Sequence, residues 1–276
     1  KSPIEIKKEG TRIDQAFSPK FGLVYQPINN MSLFASYATS FTPNSGTTVD
    51  LKPIEASIID QYEFGIKKDF WKGLLSTNIT LYQITNNNLA QTAEFKADGT
   101  PNTDSSIKTL NGATESKGIE IDITANPING LNVKAGYSFN EMRYTHTSGL
   151  KGSFIEGDRL ARTPSNTANL SFFYTLQTGS MKGLSFGAIG NYIGKRIGGW
   201  NNTIDAEKPN GINDREVPLT AYSTIDVSLG YSWTKLSLLC KVSNITDELN
   251  YTVHENYSVN PIAPRQIMAT LKYKFQ

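Results

Sequence analysis

Apolar residues recur at every second position in eleven separate segments of this chain, and that repetition limits the fold more than any other feature. The closing segment shows it most plainly. Ile267, Ala269, Leu271, Tyr273 and Phe275 alternate with Gln266, Met268, Thr270, Lys272 and Lys274. A period of two puts the two sets on opposite faces of a β-strand. The same alternation runs through Phe21, Leu23 and Tyr25, through Leu33, Ala35 and Tyr37, through Tyr62, Phe64 and Ile66, and through Leu75, Ile79 and Leu81. It continues in Ile119, Ile121 and Ile123, in Leu131, Val133 and Tyr137, and in Leu170, Phe172 and Tyr174. Leu184, Phe186 and Ala188, then Ile225, Val227 and Leu229, then Leu236, Leu238 and Cys240 complete the series. The opposite faces carry Glu63, Lys67, Glu120, Asp122, Lys134, Asp226 and Lys241. One such strand fits a soluble sandwich. Eleven predict an all-β, antiparallel wall between two media.

The connections sharpen this. They are short at residues 26–30, 70–73, 127–130, 177–183 and 233–235, each with Gly, Asn, Pro or Lys, as tight hairpins require. They are long and polar at residues 42–56, 90–113, 146–161, 201–220 and 247–264. Short turns at one end and long loops at the other describe a transmembrane β-barrel, whereas a sandwich has no reason to sort its loops by length. Strands of roughly 11–15 residues suffice for a tilted crossing. Bacterial barrels have an even number of strands. Eleven strands, with the first and last running toward the same end, predict further strands upstream of this sequence, with residues 1–13 as the tail of an outer loop.

Composition excludes several other classes. No apolar run approaches the ~20 residues of a membrane-spanning helix. The net charge of +2, without a run of Lys and Arg, argues against a nucleic-acid partner. Cys240 is the only cysteine, so no internal disulfide forms, and its strand phase reads it as an inert small hydrophobe. Gly183-Leu184-Ser185-Phe186-Gly187 matches a nucleophile elbow, and Asp226 and His254 follow in hydrolase order. The elbow needs a helix after the serine, and residues 188–193 keep the strand phase, so no enzyme is expected. His146 and His254 are the only histidines and do not form the cluster a metal site requires. The sequons at Asn78 and Asn244 lie inside predicted strands and carry no weight.

Several local motifs, in order, resemble one family. These are Ala35-Ser-Tyr-Ala-Thr-Ser-Phe-Thr-Pro-Asn44, Tyr62-Glu-Phe-Gly-Ile-Lys67 with Leu81-Tyr82, and Ser116-Lys-Gly-Ile-Glu120 with Ala135-Gly-Tyr-Ser138. Val242-Ser-Asn-Ile-Thr-Asp247, Tyr251, Pro264-Arg265 and the closing Tyr273-Lys-Phe275 follow. From about residue 14 onward the chain resembles the TonB-dependent siderophore receptors. The resemblance implies a barrel of about 22 strands filled by a plug, of which residues 1–276 form the C-terminal part. Plug and first barrel strands would lie outside this sequence. It also implies a Gram-negative outer membrane, with long loops extracellular and short turns and C-terminus periplasmic. The implied partners are a ferric siderophore, outer-membrane lipid and, through the absent N-terminal segment, the TonB complex. No cofactor is expected. A passive porin-like channel, or TonB-dependent uptake of haem, cobalamin or a carbohydrate, remains the alternative, and a soluble β-sandwich module the more distant one.

The expected ligand is bulky and often anionic or aromatic. The long connections hold side chains suited to it: Arg143 and Tyr144, Arg159, Arg196 and Trp200, and Tyr251, His254 and Tyr257. Guanidinium groups pair with anionic oxygens and stack on rings, and aromatic faces supply rigid contact area. The plainer reading of each is an interfacial aromatic or a solvated arginine. Arg196 and Trp200, beside Gly198-Gly199, are the foremost candidates.

Overall fold

A computed structural model of the protein describes residues 15–93, 95–147, 156–200, 216–254 and 258–275. Strands follow one another as β1 (Lys20–Ile28), β2 (Met31–Thr42), β3 (Ser57–Phe70), β4 (Leu75–Thr92), β5 (Lys108–Ala125), β6 (Leu131–His146), β7 (Asn166–Thr175) and β8 (Leu184–Ile193). Then come β9 (Arg196–Trp200), β10 (Glu216–Leu219), β11 (Tyr222–Ser232), β12 (Leu236–Ser243), β13 (Tyr251–His254), β14 (Ser258–Pro261) and β15 (Gln266–Tyr273). Eleven of these form one sheet in the order β1-β2-β3-β4-β5-β6-β7-β8-β11-β12-β15. Every neighbouring pair in it is antiparallel. Among the described residues β1 and β15 each have one neighbour, so the sheet is a wall segment that does not close on itself.

Register turns the alternation into two continuous surfaces. Phe70, Leu75, Ala125, Val133, Phe172, Ala188, Val227, Val242 and Ile267 stand opposite one another from β3 to β15. Ile66, Ile79, Ile121, Tyr137 and Ala168 make a parallel row. On the other face Lys67, Asn78, Asp122, Gly136, Asn169, Asn191 and Thr224 align. A slip of one residue would exchange the faces. Among the described residues the apolar face has no second layer: Leu170 is 54% exposed and Ile267 80%. Such a surface is costly in water and natural against hydrocarbon.

Buried apolar side chains lie elsewhere. Ile54, Ala93, Ile107, Tyr144 and Ile197 are buried, and all sit in the long connections or at the strand ends that lead into them. The wall therefore carries its apolar surface outward, and a small core forms only where the loops fold together.

On the polar face three aromatics lie over glycines directly across from them: Phe34 over Gly65, Tyr82 over Gly118 and Phe173 over Gly187. A Cβ on Gly65 would stand 2.3 Å from the Phe34 ring, and one on Gly187 2.6 Å from the Phe173 ring. The ring takes the space that a side chain would fill.

The structure also departs from the sequence reading. Strands β4 and β5 run for 18 residues each, so the connection between them covers 93–107 rather than 90–113. A bulge between Asn86 and Leu89 keeps the chain in the sheet through Asn87 and Asn88. Strands β12 and β15 are shorter than expected at 8 residues. Two connections read as loops hold small hairpins, β9–β10 and β13–β14. Cys240 is a free thiol on the apolar face, exposed between Leu229 and Ala269. Ser185 lies within β8, paired with Thr175 and Gly230, and not at a strand-to-helix turn.

Candidate functional site

The long-loop end is organised around β9. Beyond β8 the chain stays beside the approach to β7: Gly194 donates to the Asn166 carbonyl at 2.7 Å and Arg162 N–H to the Ile197 carbonyl at 2.7 Å. β10 pairs along the other edge, with Leu219 opposite Arg196. Across its face lies β13, where a Cβ on Gly198 would meet Val253 Cγ1 at 3.2 Å. The glycine thus permits close approach of the two hairpins. Beneath them Ile197 packs with Tyr144, Leu89, Leu160 and Ala161.

Arg196 is 6% exposed at the centre of this junction. Its Nη1 donates to the Thr220 carbonyl at 3.1 Å, and its Nη2 to Asn250 Oδ1 at 3.1 Å and to the Tyr251 carbonyl at 2.5 Å. The guanidinium also lies 5.2 Å from the centroid of the Tyr222 ring, within cation–π range. Asn250 in turn donates from Nδ2 to Thr220 Oγ1 at 3.2 Å. A buried guanidinium is stable only when acceptors meet it, and here the base of the β13 hairpin supplies them. The sequence suggested an arginine offered to an anion. The geometry instead turns Arg196 inward, where it holds the β9 and β13 hairpins together.

The other candidates separate by position. Tyr144 is buried, with its N–H bonded to the Asp158 carbonyl at 3.0 Å. Arg143 belongs to the row Asp60, Thr85, Glu115 and Arg143, which continues the apolar face upward rather than the polar one. It donates to Glu141 Oε1 at 2.8 Å and to the Gly157 carbonyl at 2.7 Å. Arg159 bridges to Arg143 and donates to Ser165 Oγ at 2.6 Å. Tyr251 is exposed on β13. Trp200 and His254 end β9 and β13. Tyr257 lies outside the described residues. The structure therefore gathers Arg196, Trp200, Tyr251 and His254 on two adjoining hairpins and sets Arg143 apart on the outer side of the wall.

Sequence reasoning missed Asn250, Thr220 and Asn244 as framework residues. Asn244 is buried with φ of 49°, a conformation asparagine tolerates better than most residues. Its Nδ2 donates to the Glu248 and Ala263 carbonyls, each at 3.0 Å, and its Oδ1 accepts from Glu248 N–H at 2.9 Å. Its own N–H donates to Asp226 Oδ1 at 2.9 Å, while Asp226 Oδ2 pairs with Lys241 at 2.7 Å. Asp226 is therefore bound into the wall. A second loop pair is tied at the far side: Asn44 Nδ2 reaches the Glu55 carbonyl at 2.8 Å, and Thr47 exchanges backbone bonds with Ser106 and Lys108. In the same region Asp98 accepts from Thr100 N–H at 2.9 Å and Thr100 Oγ1 at 2.6 Å. Those bonds hold its carboxyl below the usual range.

An antiparallel wall with one lipid-compatible face, a polar inner face, short turns at one end and interlocked loops at the other defines a membrane-spanning barrel protein. The family model for the TonB dependent receptor-like β-barrel matches residues 5–245, and the chain belongs to that family. Among curated relatives, the metal-pseudopaline receptor of Pseudomonas aeruginosa is 25% identical over 95% of this chain and 34% of its own length. The ferric-pyoverdine 358 receptor of Pseudomonas putida is 28% identical over 94% of this chain and 29% of its own. The chain thus spans about a third of the relatives it matches. Among solved structures, the ferric preacinetobactin receptor of Acinetobacter baumannii superposes with a TM-score of 0.78 at 18% identity, covering 98% of this chain and 38% of that one, which establishes the shared fold.

Proposed function

We propose that the chain is the C-terminal barrel wall of an outer-membrane receptor that binds a ferric siderophore and imports it with energy from the TonB system. The observation that carries this reading is similarity, along nearly the whole chain, to curated receptors named for ferric-pyoverdine and ferrioxamine B. The long-loop end faces the cell exterior, and the short turns and C-terminus face the periplasm. The ligand is met by Trp200, Tyr251, His254 and Tyr257, with Arg143 and Arg159 on the outer flank. Arg196 and Tyr144 hold these loops in place. Coupling to the inner membrane requires segments other than this wall.

The test is growth of a strain lacking the full-length receptor, under iron limitation, on a panel of ferric chelates. The expected result is loss of growth on one chelate class and its restoration by the complete gene. Wild-type growth on every chelate, with a defect on haem, cobalamin or a carbohydrate, would move the assignment to that cargo. Uptake that persists without TonB would favour a passive channel.

A further inference from the structure

The short-turn end carries a charge pattern that ligand capture at the other end does not use. Residues 26–30, 68–75, 126–130, 176–183, 233–235 and 272–275 make up this end. Their charged side chains are Lys68, Lys72, Lys182, Lys235, Lys272 and Lys274, against Asp69 alone. The Asp69 carboxylate accepts from Ser76 Oγ at 2.6 Å, inside its own turn.

Three of these lysines sit beside a touching aromatic pair. Phe70 and Trp71, with centroids 6.2 Å apart, precede Lys72. Tyr231 and Trp233, 4.6 Å apart, precede Lys235. Tyr273 and Phe275, 4.9 Å apart, flank Lys274. Lys68 Nζ rests 5.0 Å from the Phe70 centroid. The rings are open to the surroundings: Trp71 is 72% exposed and Phe275 81%.

The physics of these two groups converges on one depth. Indole and phenol rings settle at the boundary between hydrocarbon and headgroups. A lysine beside such a ring keeps its stem along the apolar layer and lifts its ammonium to the height of the lipid phosphates. A soluble acidic partner would answer the charge and leave the exposed rings unexplained. A leaflet answers both.

We propose that the short-turn rim is a binding surface for anionic phospholipid headgroups, with Lys72, Lys182 and Lys235 as phosphate contacts and the aromatics adjoining Lys72 and Lys235 fixing the depth of the rim. This rests on the membrane-spanning reading of the wall and not on the identity of the transported ligand.

The experiment uses the full-length receptor purified in detergent and mixed with phosphatidylglycerol or phosphatidylcholine, with retained lipid counted by native mass spectrometry. The comparison is with Lys72→Asn, Lys182→Gln and Lys235→Gln, singly and combined. Asparagine is chosen at Lys72 because φ there is 57°. Each substitution is expected to weaken phosphatidylglycerol retention about fivefold, with phosphatidylcholine retention unchanged and ligand binding intact. Equal retention of the two lipids by wild type, or wild-type retention by the combined variant, overturns the proposal. A wild-type receptor that retains phosphatidylglycerol preferentially but binds no ferric siderophore would count against the transport reading and leave this proposal standing.

Discussion

Arg196 and Tyr251 are separated by 55 residues, and the guanidinium of the first donates to the main-chain carbonyl of the second at 2.5 Å. That bond joins two hairpins that leave the wall at different places. Arg196→Ala removes the donors from the Thr220 and Tyr251 carbonyls in a buried setting. The expected cost is about 2–4 kcal/mol of local stability. Hydrogen exchange should quicken at the β13 and β14 amides, far from the substitution in sequence, while the wall amides keep their protection. Arg196→Lys should recover only part of this, because an ammonium lacks the planar fork. Unchanged exchange in β13 for the alanine variant would remove Arg196 from the junction.

Asn244 offers a second, sharper test. Its Nδ2 donates to two carbonyls, so Asn244→Asp would set a carboxylate oxygen against both. The aspartate variant should be destabilised by roughly 2–4 kcal/mol, read as a lower temperature for the gel-mobility shift of the folded barrel. It should be no better tolerated than Asn244→Ala, although it is nearly isosteric. A thermally neutral aspartate would mean the two carbonyl bonds do not matter.

The wall itself predicts an unequal pair of glycine substitutions. The atoms nearest a Cβ on Gly187 all belong to side chains, Ser228 Oγ at 2.4 Å and the Phe173 ring at 2.6 Å. On Gly118 it would meet the Phe139 carbonyl oxygen at 2.3 Å as well as the Tyr82 ring. Both alanine variants should lose about 1–3 kcal/mol. Adding Phe173→Leu and Ser228→Ala should rescue Gly187→Ala, whereas Tyr82→Leu should leave Gly118→Ala impaired. Equal rescue at the two sites would contradict the backbone clash at Gly118.

Asp98 gives the pH dependence. Hydrogen bonds from Thr100 lower its pKa below the ordinary value of 3.8. A depressed folded pKa means the carboxylate favours the ordered turn above the unfolded value, and that this preference disappears as pH falls through the folded one. The Thr100 amide resonance should therefore titrate with a midpoint below 3.8. In Asp98→Ala that transition should vanish. A midpoint at or above 3.8 in the unaltered receptor would refute the assignment.

The sequence was most legible where the chain repeats itself. Ile119, Ile121 and Ile123 declare a face without help from any neighbour, and the registers follow from stacking such faces. β9 and β13 were opaque because strands of 5 and 4 residues are too short to establish a period. Arg196 was noticed for its company of glycines and aromatics, which is visible locally. Its acceptors, Thr220, Asn250 and Tyr251, come together only in three dimensions, so the same residue type read as a ligand contact is found inside the protein. Arg143 and Tyr144 teach the same point: they are adjacent in sequence and point to opposite sides of a strand.

The aromatic rings laid over Gly65, Gly118 and Gly187 have a consequence for the space that the wall faces. A Phe or Tyr on a strand ordinarily stands out from the sheet. Here each folds back onto the neighbouring strand, into the notch its glycine leaves. These three rings thus add less relief than their size suggests, and the longest reach on this side belongs to charged side chains such as Lys67 and Lys134. A molecule lying against this side of the wall meets hydroxyls, amides and charges, with each of these rings laid beside its glycine.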